Sequence, residues 1–227
     1  MQPGRPLLAG ARPERIATLV GAGAVLGAAG AVAARGVPPS EERAFRAIND
    51  LPSWLTPLLW PPMQLGSLWG PVAVGFVTWR RRRSWRTTAG VVVGGVTAWQ
   101  LAKVVKSFVR RGRPADELER ISWRLGTPQE GLGFVSGHST VVFSMVAVLW
   151  PQARPSERLA LVAVASVVAF ARLQNGAHLP IDTVGGAALG VIVGELWRLV
   201  VGDEVGIADG ALDGALDGAV GEDGGNP

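Results

Sequence analysis

The sequence has no cysteine, two histidines and two lysines, and its last 25 residues hold no basic residue. The missing cysteine excludes a disulfide framework, a thiolate nucleophile and a thiolate metal site, and leaves the compartment unreadable from redox chemistry. No basic run is interleaved with aromatics on an evidently soluble module, so the chain does not read as a nucleic-acid binder. The scarcity of histidine and lysine makes the positions of His138, His178, Lys103 and Lys106 informative. Charge is also unevenly spread. The chain carries a net +4, and taking away the seven acids of residues 203–227 leaves +11 on the rest. A basic chain of this kind points to anionic lipid or phosphate as partner.

What is abundant is apolar sequence in long blocks. Hydrophobic residues make up 48% of the 227, and mean hydropathy is +0.28. Blocks of this length predict an all-α integral membrane bundle of about six transmembrane helices rather than a globular core. The expected spans are Ile16–Ala34, Trp54–Trp79 with an interruption near Trp60-Pro61-Pro62, Thr88–Val109, His138–Trp150, Leu159–Ala171 and Ile181–Val200. The fourth and fifth fall short of the roughly 20 residues a crossing needs, so their shared end is expected to lie partly sunken.

The organisation that follows is a cytoplasmic N-terminus at residues 1–15, a helical domain at 16–201 and an acidic, Gly-rich, disordered tail at 202–227. Basic residues before the first span and small ones after it leave a cleaved signal peptide open as an alternative for residues 1–34. The run Arg80–Arg83 and Arg86 marks a cytoplasmic side. Trp79, Trp85, Trp150 and Trp197 form a belt on that side, with Trp54 and Trp123 near the other. This predicts a multi-pass protein of the cell membrane. The segment Pro39–Pro52 is expected to be an amphipathic helix on the outer surface, its Glu41, Glu42 and Asp50 forming a solvated face.

Between His138 and Arg172 the chain is apolar, then polar at "PQARPSER", then apolar again. That reads as a helical hairpin, so His138 and His178 return to the same face. The third span ends there too and brings Lys106 and the loop Arg110–Arg113. In "GFVSGHST", Ser136 is a candidate N-cap and Gly137 lets an anion approach the free N–H groups of a helix start. In "HLPID", Pro180 suits a first helical turn. His178 and Asp182 are four apart, so the carboxylate can fix one imidazole nitrogen. Arg113 and Arg172 offer planar forks for phosphoryl oxygens and Lys106 a point charge.

These residues resemble a known family. "KSFVRRGRP" (Lys106–Pro114), "SGH" (Ser136–His138) and "RLQNGAHLPID" (Arg172–Asp182) look like the three motifs of the type 2 phosphatidic acid phosphatase superfamily, over about Trp54 to Val200. All spacings match; Val135 stands where proline is usual and Ala171 where serine is usual.

The resemblance implies a six-helix membrane fold and a metal-free, cofactor-free phosphatase. His178 would be the nucleophile, Asp182 its orienting partner and His138 the proton donor. Lys106, Arg113, Arg172, Ser136 and Gly137 would bind phosphate. The expected partner is a lipid-phosphate substrate held at the extracytoplasmic side, its tail in the membrane lipid. Undecaprenyl pyrophosphate, phosphatidate and phosphatidylglycerophosphate all fit, and oligomeric state is unknown. A lipid phosphotransferase and a non-enzymatic anion transporter or scaffold are the alternatives. Lys103 is expected to snorkel. Arg110 and Arg111 stay open between steering anionic headgroups and ordinary loop solvation.

Overall fold

A computed structural model describes residues 13–128 and 130–201. Among these the chain is all helical: α1 (Pro13–Ala33), α2 (Pro39–Asn49), α3 (Leu55–Met63), α4 (Gly70–Arg82), α5 (Trp85–Val109), α6 (Pro114–Glu117), α7 (Gly137–Leu149), α8 (Pro155–Gln174) and α9 (Pro180–Val201). The expected acidic tail lies outside the described residues, as does most of the expected N-terminal segment.

Six passes make a membrane bundle with α7 and α9 at its centre. Glycines set that pairing. Gly186, Gly190 and Gly194 repeat every fourth residue along α9, and a Cβ on each would come within 2.4–2.5 Å of an α7 atom. Small residues in this register let two helix backbones approach closely where lipid gives no hydrophobic drive for association. Around the pair, Val91, Val141, Met145, Ala165 and Val168 form one apolar cluster, and Ala29, Ala98, Ala102, Phe134 and Leu189 another. Helix α1 lies along α9; Arg15 and Glu195 form an ion pair at 3.4 Å, and Gly30 packs near the Phe134 ring. Exposed side chains such as Phe76, Phe108, Leu159 and Val200 face outward, as a lipid solvent requires.

Among the described residues three stretches are long and apolar enough to cross a membrane by themselves: α1, α9 and Trp85–Glu117, which begins with α5. The others correct the expected spans. The second is broken. Pro61 and Pro62 lack N–H donors, and α3 gives way to a single 3-10 turn at Gln64–Gly66 and an extended Ser67 before α4 begins. Met63 and Gly66 touch the functional end of the bundle, so α3 remains at that level and only α4 descends. The fifth span, expected over 13 residues, is a full 20-residue helix whose Glu157 carboxylate accepts from the Arg154 N–H at 2.9 Å and closes the first turn.

The fourth span is short as expected. Helix α7 has 13 residues and is about 20 Å long. Its start is sunken. Ala102 of α5 packs in the same cluster as Phe134 and Val135, and α5 runs seven residues further to Val109, about 10 Å beyond that level. At the opposite end, Trp197 of α9 and Val148 of α7 press on Gly90 of α5. Thus Trp79, Trp85, Trp150 and Trp197 group at one end of the bundle.

Candidate active site

The sunken end is built from three chain segments that meet. Ser136 caps α7 by accepting from the Ser139 N–H at 3.4 Å, and its own N–H donates to the Asp182 carbonyl at 2.8 Å. The start of α7 is therefore tied directly to the start of α9. The turn between α8 and α9 folds back on itself: the N–H groups of Ala177 and His178 both donate to the Arg172 carbonyl, at 3.1 and 3.2 Å. All of residues 171–179 are buried, which explains how a polar segment persists here: its groups bond to one another and to the neighbouring loop.

Asp182 is fully buried, with its carboxylate divided among three partners. Oδ2 accepts from the Leu179 N–H at 2.9 Å and lies 3.4 Å from His178 Nδ1. That second distance is an ion-pair contact rather than a formed hydrogen bond. Catalytic contacts are often long without substrate and tighten when it binds. Oδ1 accepts from Arg111 at 3.1 Å.

The three expected phosphate cations converge on one loop. Lys106 donates to the carbonyls of Leu132 and Gly133, at 2.7 and 2.8 Å. Arg113 donates to Glu130 and Ala177 carbonyls, at 2.9 and 3.1 Å. Arg172, only 2% exposed, donates to the Gly126 carbonyl at 3.0 Å, and its Nε is buried with no acceptor. By helix geometry the first N–H groups of α7, at Gly137 and His138, also have no acceptor within the helix. Around Gly137 there is room: a Cβ there would meet nothing nearer than 3.9 Å. His138 stands on this first turn, against Gly66. Met63, three residues before Gly66, contacts Arg172 at 3.5 Å, so one short turn touches both the His138 and the Arg172 segments.

Sequence reasoning missed several residues here. Arg111 is no loop-surface cation: it is 3% exposed and pairs with both Asp182 and Glu41. Glu41 is not on a solvated face either. Helix α2 buries Glu41, Phe45 and Asn49, one every fourth residue, and that period was the available signal. Asn49 donates to Ser122, Leu173 and Gln174 carbonyls, and Arg124 donates to Leu51 and Gln174, fixing the end of α8. Gly133 is required by space, because a Cβ there would lie 2.3 Å from the Gly112 carbonyl oxygen and 3.2 Å from Asp182 Oδ2. The Lys103 ammonium lies over the Trp99 ring, 3.4 Å from its centroid.

Two imidazoles, the Asp182 carboxylate and the Lys106, Arg113 and Arg172 cations thus gather at one end of a membrane helical bundle. Residues 85–205 match the model of the PAP2 superfamily, and the chain belongs to that superfamily. Two solved structures are similar. Aquifex aeolicus LpxE aligns with a TM-score of 0.61 at 22% identity, covering 68% of this chain and 92% of that one. The first transmembrane PAP2 type phosphatidylglycerolphosphate phosphatase from Bacillus subtilis aligns with a TM-score of 0.58 at 19% identity, covering 82% and 95%. No curated protein sequence matches the chain.

Proposed function

We propose that this chain hydrolyses a lipid-linked phosphomonoester or pyrophosphate through a phosphohistidine on His178. Asp182 beside Nδ1 keeps the proton on that nitrogen and leaves the Nε2 lone pair for phosphorus. As the N–P bond forms, the bond from phosphorus to the lipid oxygen breaks, and His138 delivers a proton to that oxygen. Water then attacks the phosphohistidine, His138 takes its proton, and inorganic phosphate and free His178 result. Lys106, Arg113, Arg172 and the N–H groups at the start of α7 stabilise the charge on the phosphoryl oxygens.

The observation that carries this reading is the charge balance of the pocket. Three cations, Lys106, Arg172 and Arg113, act on the His178 ring, while Arg111 is taken up by Asp182 and Glu41. Phosphoryl oxygens compete well with the backbone carbonyls these cations now hold, because they carry negative charge and the carbonyls do not.

A lipid, rather than a soluble ester, is favoured by what lies beneath. An apolar groove of about 420 Å³ runs between α4, α7 and α8, lined by Leu65, Val74, Val142, Met145, Leu161 and Val164 among others. Leu65, one of its lining residues, is the neighbour of Gly66, which packs on His138. A tail lying there places its phosphate at the sunken site while remaining in an apolar medium. Undecaprenyl pyrophosphate, phosphatidate and phosphatidylglycerophosphate share this chemistry, and the positive Arg80–Arg83 end supports a site on the extracytoplasmic face. The test is release of inorganic phosphate from a panel of these lipids by purified protein in detergent. Release equal to the lipid phosphate lost is expected; phosphate appearing only on a second lipid would rule out hydrolysis.

A further inference from the structure

We propose that Glu41 and Arg111 are a positioning pair that sets the Asp182 carboxylate, and through it the His178 ring. The inference rests on the reading of His178 as nucleophile. Arg111 lies between two carboxylates from distant elements: Nη1 is 3.1 Å from Asp182 Oδ1 and 3.1 Å from Glu41 Oε1, and Nη2 closes a second bond to Glu41 Oε2. The three side chains are 1%, 3% and 0% exposed, so this is no solvent-screened surface pair. Glu41 Oε1 also accepts from the Ile181 N–H at 2.8 Å, so one carboxylate grips both the guanidinium and the first turn of α9.

The chemical consequence lies in how Asp182 is divided. With Oδ1 held by Arg111, Oδ2 is left facing His178 Nδ1. Without Arg111 the carboxylate can rotate or share both oxygens with the Leu179 N–H, and the imidazole loses its fixed tautomer. Glu41 neutralises Arg111, so the guanidinium orients Asp182 without adding a further net positive charge beside the nucleophile. Neither residue touches substrate; both act through Asp182. A surface amphipathic helix thereby becomes part of the catalytic apparatus.

The charged and titratable groups around His178 are Glu41 on α2, Lys106 on α5, Arg111 and Arg113 in the following loop, His138 on α7, Arg172 on α8 and Asp182 on α9. Removing charge from the pair moves His178 in opposite directions. Glu41→Gln leaves Arg111 uncompensated, disfavours imidazolium, and moves the acid limb of kcat/KM to lower pH. Arg111→Gln removes a cation and moves that limb to higher pH.

The experiment measures kcat, KM, the pH profile and thermal stability of Glu41→Gln, Arg111→Gln, Arg111→Lys and His178→Ala in full-length protein. Glu41→Gln keeps the side-chain shape and its acceptor for Ile181, so it serves where Arg111→Gln folds poorly. The expected result is a loss in kcat of about tenfold or more for Glu41→Gln and Arg111→Gln, as partners of a reacting group usually cost. KM changes less, the limbs shift oppositely, and Arg111→Lys recovers part of kcat. Unchanged kcat in Glu41→Gln and Arg111→Gln, or losses that track stability with no displacement of the limb, overturn the proposal while an inactive His178→Ala leaves the nucleophile standing. An active His178→Ala overturns both.

Discussion

Gly66 is pressed against His138: a Cβ on Gly66 would lie 2.7 Å from the His138 Cβ and 2.8 Å from its carbonyl oxygen. The broken second span thus ends on His138, the proposed proton donor, and the break itself is what brings the turn there. Gly66→Ala must push backbone as well as side chain, because two of the three nearest atoms belong to the His138 main chain. Overpacking of this kind costs about 1–3 kcal/mol. The larger effect is expected on turnover, since a misplacement of about 1 Å can cost about 100-fold. Steady-state kinetics alongside thermal unfolding in detergent checks this; a stable variant with normal kcat would mean His138 does not need its present position.

His178→Ala is expected to lower kcat/KM by at least about three decades, because no other group near the pocket replaces a covalent nucleophile. Acid-labile phosphate trapped on the wild-type protein after a rapid quench, and lacking in this variant, is the direct measurement. Retained turnover in His178→Ala refutes the assignment.

The pH profile follows from the surroundings of His178, which lies in the turn between α8 and α9. Burial, then the cations of Lys106, Arg172 and Arg113, hold its imidazole well below the usual 6.5. The protonated ring cannot attack, so kcat/KM rises with pH as the ring loses its proton. A lowered value moves that rise to the acid side of 6.5. The requirement for a protonated donor gives a fall at higher pH, and the whole profile is bell-shaped. A rise centred above 6.5, with chemistry rate-limiting, contradicts the burial argument.

The groove between α4, α7 and α8 separates substrates by their tails. Ala73 lines it and is exposed, so Ala73→Phe fills the groove without entering the core. KM for a long-chain lipid phosphate is expected to rise several-fold while that for a short, water-soluble monophosphate stays within about twofold, in line with about 0.8 kcal/mol per buried methylene. Equal changes for both substrates would remove the groove from substrate binding.

Chelation offers a further check. The phosphoryl charge is met by guanidinium and ammonium groups, so activity is expected to persist in excess EDTA. Complete loss, restored by a divalent ion, would require a different account of the pocket.

The motifs were legible in the sequence because each is local. Seven residues from Lys106 to Arg113, or four from His178 to Asp182, carry their geometry in their spacing. The hairpin returning His178 to the level of His138 was legible in hydropathy alone. The Glu41–Arg111 pair was not, because 70 residues separate its members and an acid on a short amphipathic helix ordinarily faces water. Its clue lay in period: Glu41 falls on the same face as Phe45 and Asn49, and that face is buried. The break in the second span was expected near Trp60-Pro61-Pro62, but the position of α3 was not, because hydropathy registers an apolar run and not its direction. Nothing in composition distinguishes a helix that crosses from one that rests at the end of the bundle.

The height difference between α5 and α7 gives this enzyme a relation to the thickness of its host bilayer. A reacting group held about 10 Å below the top of the tallest helix meets headgroups that must dip inward, stretching or thinning the surrounding leaflet. Turnover should therefore change with acyl-chain length of the bulk lipid even when the substrate is held constant, which makes the membrane itself a tuning variable for catalysis.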